Sequence, residues 1–175
     1  RNGGIRMRRL LFYIIMIICG YFLQTGVFTS FTLGGIVPNI LIICTVSTGM
    51  VRGKKDGCIL GFILGILMDA LYGSFFGVYA LFLSVMGYVA GKIKQYFYEE
   101  DMTLPLVIIG IVDLLYGILI FVFGFFPRGR TNFLFYLSKI ILPELFYTLI
   151  LAIFLYRLIV LLNKKLDKGS ENRID

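Results

Sequence analysis

Three carboxylates stand inside otherwise apolar stretches of this 175-residue chain: Asp69, Asp113 and Glu144. One cation, Lys139, sits a single helical turn before Pro143. An ionisable side chain at the centre of a bilayer costs about 2.5–3.5 kcal/mol or more, so such groups are paired, held in a polar core or part of an ion path. The three acids could relay protons between them, although the inventory is thin for a pump. Asp113 and Glu144 could equally belong to a polar bundle core satisfied by Ser, Thr and Asn neighbours. Asp69 could reach interfacial water, cap the short turn at 72–74, or make a structural or partner contact. Lys139 could pair with a carboxylate on a neighbouring helix. Pro143 has no N–H to give the Lys139 carbonyl, which predicts a kink that carries Glu144 toward the interior.

Other chemistry has little to work with. The chain holds no histidine, which removes the commonest general base and metal ligand. No D-x-x-D pair occurs within a span, as a magnesium-dependent lipid transferase would need. The acidic run Glu99-Glu100-Asp101 reads as a solvated loop. Cys19, Cys44 and Cys58 have no C-x-x-C spacing and read as small apolar packing residues. No catalytic residue, metal or cofactor is expected.

The elements that must position these residues are membrane helices. Apolar residues make up 59% of the chain and charged ones only 15%, with a mean hydropathy of +0.92. Soluble domains run at roughly 45–50% apolar and about 25% charged. The apolar runs are continuous and of helix length, not alternating ten-residue strands, which excludes a barrel. The expected fold is an all-α integral membrane bundle of six helices, over residues 10–27, 36–51, 57–71, 75–90, 104–125 and from 133 or 137 to 162. Residues 1–9 and 163–175 are expected to be cytoplasmic segments flanking a 10–162 transmembrane domain. Met7 reads as a more natural start than Arg1, and the first run as a retained helix rather than a cleaved leader.

Lysine and arginine set the orientation. One side collects 14 of the 17, with Arg1 to Arg9, Arg52 to Lys55, Lys92 with Lys94, and Arg157 to Arg173; the other has Arg128, Arg130 and Lys139. Both termini are therefore expected in the cytoplasm of a multi-pass cell-membrane protein. The charge of +7 is spread one cluster per inner loop, which suits anionic lipid headgroups and argues against nucleic acid. The least secure spans are the third and fourth, which are short and could form a shallower hairpin.

Those two spans also carry the most regular pattern in the chain. Gly57, Gly61, Gly65, Asp69, Gly73 and Gly77 recur every four residues, and Gly87 and Gly91 repeat the spacing at the far end. Residues four apart share a helix face, so the stripe predicts close backbone packing with Asp69 on the glycine face. Pro38 is expected in the first turn of the second helix, where a missing N–H costs nothing.

The run Pro38-Asn39-Ile40-Leu41-Ile42, the glycine ladder containing Asp69, and Gly77-x2-Ala80-Leu81 resemble the MreD family of rod-shape-determining proteins. The specific part covers residues 38–91, and the last two helices match by hydropathy only. The resemblance implies a non-enzymatic scaffold subunit of the bacterial elongation complex. Its implied partners are an MreC-like protein, a RodA-type glycosyltransferase with its transpeptidase, and, indirectly, MreB. Pro38, Asn39, Gly57, Gly61, Gly65, Asp69, Gly73 and Gly77 become candidates for helix packing and partner contact; Asp113, Lys139 and Glu144 are the intramembrane polar candidates. The family also implies a fold similar to the six-helix substrate-binding subunits of energy-coupling-factor vitamin transporters. A vitamin-binding subunit of that kind is the alternative, weakened because residues 10–27 contain no alanine for the usual Ala-x-x-x-Ala docking motif.

Overall fold

The computed structural model describes residues 2–27, 35–72, 77–96, 102–125 and 132–168, and these are almost wholly helical. Helix α1 covers Asn2–Phe22 and ends in a wide π-type turn, Leu23–Val27. It begins well before residue 10, so much of the basic N-terminal segment is helical. Helix α2 is Ile40–Arg52, α3 is Lys54–Tyr72, and α4 is Val78–Ile93 with a 3₁₀ turn to Tyr96. Helix α5 is Thr103–Ile120, extended by a π turn Phe121–Phe125. Helix α6 runs from Phe133 to Lys168 and contains a π turn at Leu137–Ile141.

That π turn is the answer to Pro143. With no N–H at Pro143, the preceding turn widens, and the Leu142 amide reaches back five residues to the Leu137 carbonyl. The expected disturbance thus takes the form of a π bulge just upstream of the proline.

Helix α2 departs most from expectation. It is only 13 residues long, and Pro38 lies outside it, one residue before the N-cap Asn39. The helix starts at Ile40 because side chains take its first donors. Asn39 Oδ1 accepts the Ile42 amide at 3.3 Å, Thr148 Oγ1 accepts the Asn39 amide at 3.1 Å, and Gln24 Oε1 accepts the Ile40 amide at 2.9 Å. The helix's own N-cap and side chains from α6 and the end of α1 therefore cap one helix end. At 1.5 Å per residue α2 is about 20 Å long, short of the roughly 30 Å of a hydrocarbon core. Its residues 40–50 are all buried, and it touches α1, α3, α4, α5 and α6. What reads as an ordinary span is the hub of the bundle.

The most extensive helix contact is α3 against α4. Helices α5 and α6 pack on each other and on α2, and α1 lies more loosely against α2 and α3. Two helical stretches are long and apolar enough to cross a membrane, Thr103–Phe123 and Phe133–Lys165, while Leu10–Gly26 and Ile40–Arg52 are shorter apolar helices.

Candidate functional site

The glycine stripe works by bringing backbones together. A Cβ on Gly57 would stand 2.5 Å from the Gly87 carbonyl oxygen and 2.7 Å from Gly49 Cα. A Cβ on Gly61 would run into the Leu83 carbonyl, one on Gly65 into Ala80, one on Gly87 into Gly57 and one on Gly91 into Lys54. Each obstacle is backbone and cannot swing aside, so these five glycines are required by contact. In lipid, where apolar side chains gain little by leaving the tails, such close packing is a main source of association.

Helix α2 completes this junction with residues that the four-residue ladder did not mark. Gly49 faces the Gly87 carbonyl, 2.6 Å from where its own Cβ would be. The Thr45 methyl lies 2.8 and 2.9 Å from the positions a Cβ would take on Gly61 and Gly87. Thr45 thus fills the space that two glycines on different helices leave. The clue in the sequence was Thr45 and Gly49, themselves four apart.

Asp69 is 3% exposed and faces inward. Its Oδ1 accepts the Tyr79 amide at 3.1 Å and its Oδ2 the Ala80 amide at 2.9 Å. These are the second and third residues of α4, whose N-cap Gly77 has no side chain to offer and sits at φ +101° in the left-handed region. Asp69 therefore caps α4 from α3, with its charge at the positive end of the helix dipole. The position of Gly73, within the connecting turn, lies outside the described residues.

A second polar group forms where α2, α5 and α6 meet. Asp113 on α5 is 3% exposed and faces the Thr148 hydroxyl on α6. Tyr116, one turn further along α5, faces the Asn39 carboxamide and stacks its ring near Tyr79 and Phe82, at 5.8 and 5.9 Å between centroids. Half-buried Glu144 lies near enough to Asp113 for the two charges to interact. Asp113 Oδ1 has no hydrogen-bond partner among the described residues. The structure thus brings Asn39, Asp113 and Glu144 together but leaves Lys139 exposed, with no ion pair to a carboxylate among the described residues. Asp69 stays with its cap, so the three acids do not form one cluster. Tyr116, Thr148 and Gln24 were not marked by the sequence reading. The available signal was spacing: Tyr116 is three residues after Asp113, and Thr148 four after Glu144.

At the other end of α2, Arg52 pairs with Asp56 at 3.7 Å and lies 4.4 Å over the Phe12 ring. Lys94 Nζ donates to the Val51 carbonyl at 2.6 Å. These contacts tie the α2–α3 corner to α1 and to the turn after α4 through two basic residues, Arg52 and Lys94.

Comparison with known proteins bears on what this arrangement serves. No curated protein and no solved structure matches the chain. The family model described as rod shape-determining protein MreD matches residues 5–166, which takes in all six helices and both polar groups. On that match, the chain belongs to the MreD family of rod-shape-determining membrane proteins.

Proposed function

We propose that this protein is a non-enzymatic scaffold of the rod complex, crossing the membrane six times with both termini in the cytoplasm. The single observation that carries the reading is the family match over residues 5–166. In this reading an MreC-like protein is the direct partner, and through it the RodA-type glycosyltransferase, its transpeptidase and MreB are joined. The α3–α4 hairpin supplies a rigid element on which a partner can register, because five glycines and one buried carboxylate leave it a single close-packed arrangement. The basic inner loops support the orientation. The short α2 is accommodated by packing against all five other helices, so its backbone is shielded by protein. The vitamin-binding alternative is not retained, since the matched family is one of shape determination.

Complementation tests the proposal. In cells depleted of their own copy, this chain should restore rod shape and recover the MreC-like protein on purification, and Gly61→Leu should lose both. Undiminished shape and partner recovery with that variant, at equal membrane abundance, would count against the scaffold role.

A further inference from the structure

The six helices do not end together. Gln24, at the end of α1, accepts the Ile40 amide at the start of α2, and the adjoining Asn39 amide donates to Thr148 on α6. Asp69, in the last turn of α3, holds the first-turn amides of α4. Tyr79 and Phe82 of α4 lie 5.8 and 5.9 Å from the Tyr116 ring on α5. These contacts put one end of α1, α2, α3 and α4 at the level of Tyr116 and Thr148. Helix α5 and its π turn go on to Phe125, about 13 Å past Tyr116, and α6 reaches back to Phe133, about 22 Å from Thr148. Past this step the two arms pack on one another through Phe121, Tyr136 and Ile141 and expose Val122, Phe123, Leu134 and Phe135.

Between α4 and α5 the opposite ends show no such step. Counted from the Tyr79–Tyr116 contact, α4 reaches exposed Lys92 and α5 its first residue, Thr103, after the same thirteen residues, about 20 Å. Gly91 abuts the Lys54 backbone at the start of α3, and Lys94 holds the Val51 carbonyl near the end of α2. The extra length of α5 therefore lies on one side only. With the basic residues inside, that side is the outer one.

Apolar length differs between the flanks in the same way. Helix α5 is apolar from Thr103 to Phe123, about 30 Å, with its one charged residue, Asp113, buried, which matches a whole hydrocarbon core. Helix α4 is apolar only between Gly77 and Lys92, about 21 Å, and α1 from Leu10 to Gly26, about 24 Å. The outward faces of this shorter flank are still apolar, with Ile14, Phe62 and Val85 exposed on α1, α3 and α4. Tilt shortens the reach of a long helix but cannot extend a short one, so the mismatch falls on the lipid beside α1, α3 and α4.

We propose that the flank formed by α1, α3 and α4 binds a locally thinned bilayer, selecting phospholipids with short acyl chains, while the α5–α6 flank binds lipids of ordinary length. The protein then thins the outer leaflet on one flank and settles where the bilayer is already thin. This rests on the membrane-spanning reading and is independent of which protein partner the scaffold holds.

The test uses the absence of tryptophan from the chain, which makes any introduced tryptophan the sole reporter of its lipid surroundings. Phe62→Trp and Val85→Trp report on the short flank, Ile111→Trp and Phe146→Trp on the long one; all four side chains are exposed. Each full-length variant is reconstituted in dioleoyl phosphatidylcholine mixed with brominated dimyristoleoyl, dioleoyl or dierucoyl phosphatidylcholine, whose bromine quenches nearby tryptophan. Two positions per flank keep the comparison intact where one variant folds poorly. Quenching at Phe62→Trp and Val85→Trp should show at least about a twofold preference for the dimyristoleoyl lipid over the dioleoyl one. At Ile111→Trp and Phe146→Trp the order should be reversed. One chain-length order shared by both flanks would overturn the proposal, and so would quenching on the α5–α6 flank with none on the other, which would mean that protein covers α3 and α4. Absence of quenching at all four positions would overturn the membrane-spanning reading as well.

Discussion

The Asp69 carboxylate and the Ala80 amide, on two different helices, are joined by a 2.9 Å hydrogen bond, and the second carboxylate oxygen holds the neighbouring Tyr79 amide. A helix whose N-cap is glycine normally leaves its first donors to water. Here the preceding helix supplies the acceptor, so α3 and α4 are joined by an ionic cap as well as by packing.

Replacing Asp69 should weaken that closure in a graded way. Asp69→Ala leaves two amides without their acceptor and should cost about 2 kcal/mol; Asp69→Asn keeps one acceptor oxygen and should lose about half as much. Unfolding of the purified protein, with amide exchange at Tyr79 and Ala80, checks this. Equal stability of the two variants would contradict the cap.

Two glycine substitutions should differ sharply although both lie in helices. Gly61→Ala drives a Cβ into the Leu83 carbonyl and should destabilise by about 1–3 kcal/mol, as overpacked cores do. A Cβ on Gly110 meets only Leu145 and Leu149 side chains at ordinary distances of 3.5–3.8 Å. Gly110→Ala should therefore be neutral or gain up to about 1 kcal/mol of helix propensity. Parallel thermal unfolding of the pair separates contact from propensity.

Thr148 tests the staple at the start of α2. Thr148→Val keeps the shape and removes the acceptor of the Asn39 amide, which should cost about 1–3 kcal/mol. Thr148→Ser retains the hydroxyl and should recover most of that loss. Hydrogen exchange at the Asn39 and Ile40 amides should accelerate in the valine variant and not in the serine one.

Single-cysteine labelling in a Cys19, Cys44 and Cys58 free background checks the proposed orientation. Cysteines at Ser74 and Arg130 should react with an impermeant maleimide from outside, and those at Lys54, Lys94 and Lys168 only after permeabilisation. External labelling at Lys54 would reverse or break the six-span arrangement.

Much of the fold was legible because local rules dominate it. Continuous apolar runs can only be helices in lipid, so all six elements fall within a few residues of their expected places, α2 and the N-terminal start of α1 being the main departures. The four-residue glycine spacing identified the α3–α4 contact, since a stripe without side chains has one use in close packing. Pro143 announced a disturbed turn for the same reason: a missing N–H is a local fact. The partners of these features were less visible. Nothing near Asp69 in the sequence names the Tyr79 and Ala80 amides as the donors to its carboxylate, because they lie ten and eleven residues on, in the next helix. Lys139 looked like a partner for a carboxylate and is exposed on α6 instead.

By itself, then, the amino-acid sequence determined the helical class, the membrane setting, the close α3–α4 hairpin and the family resemblance, since each depends on composition or on spacing along one helix. Only the tertiary structure decided that α2 is a short central helix, that Thr45 and Gly49 complete the glycine junction, and that Asp69 caps α4 rather than joining the other acids. The reason is physical. Burial and charge pairing depend on which helix faces which, and that is set by contacts among residues as distant as Asn39 and Thr148.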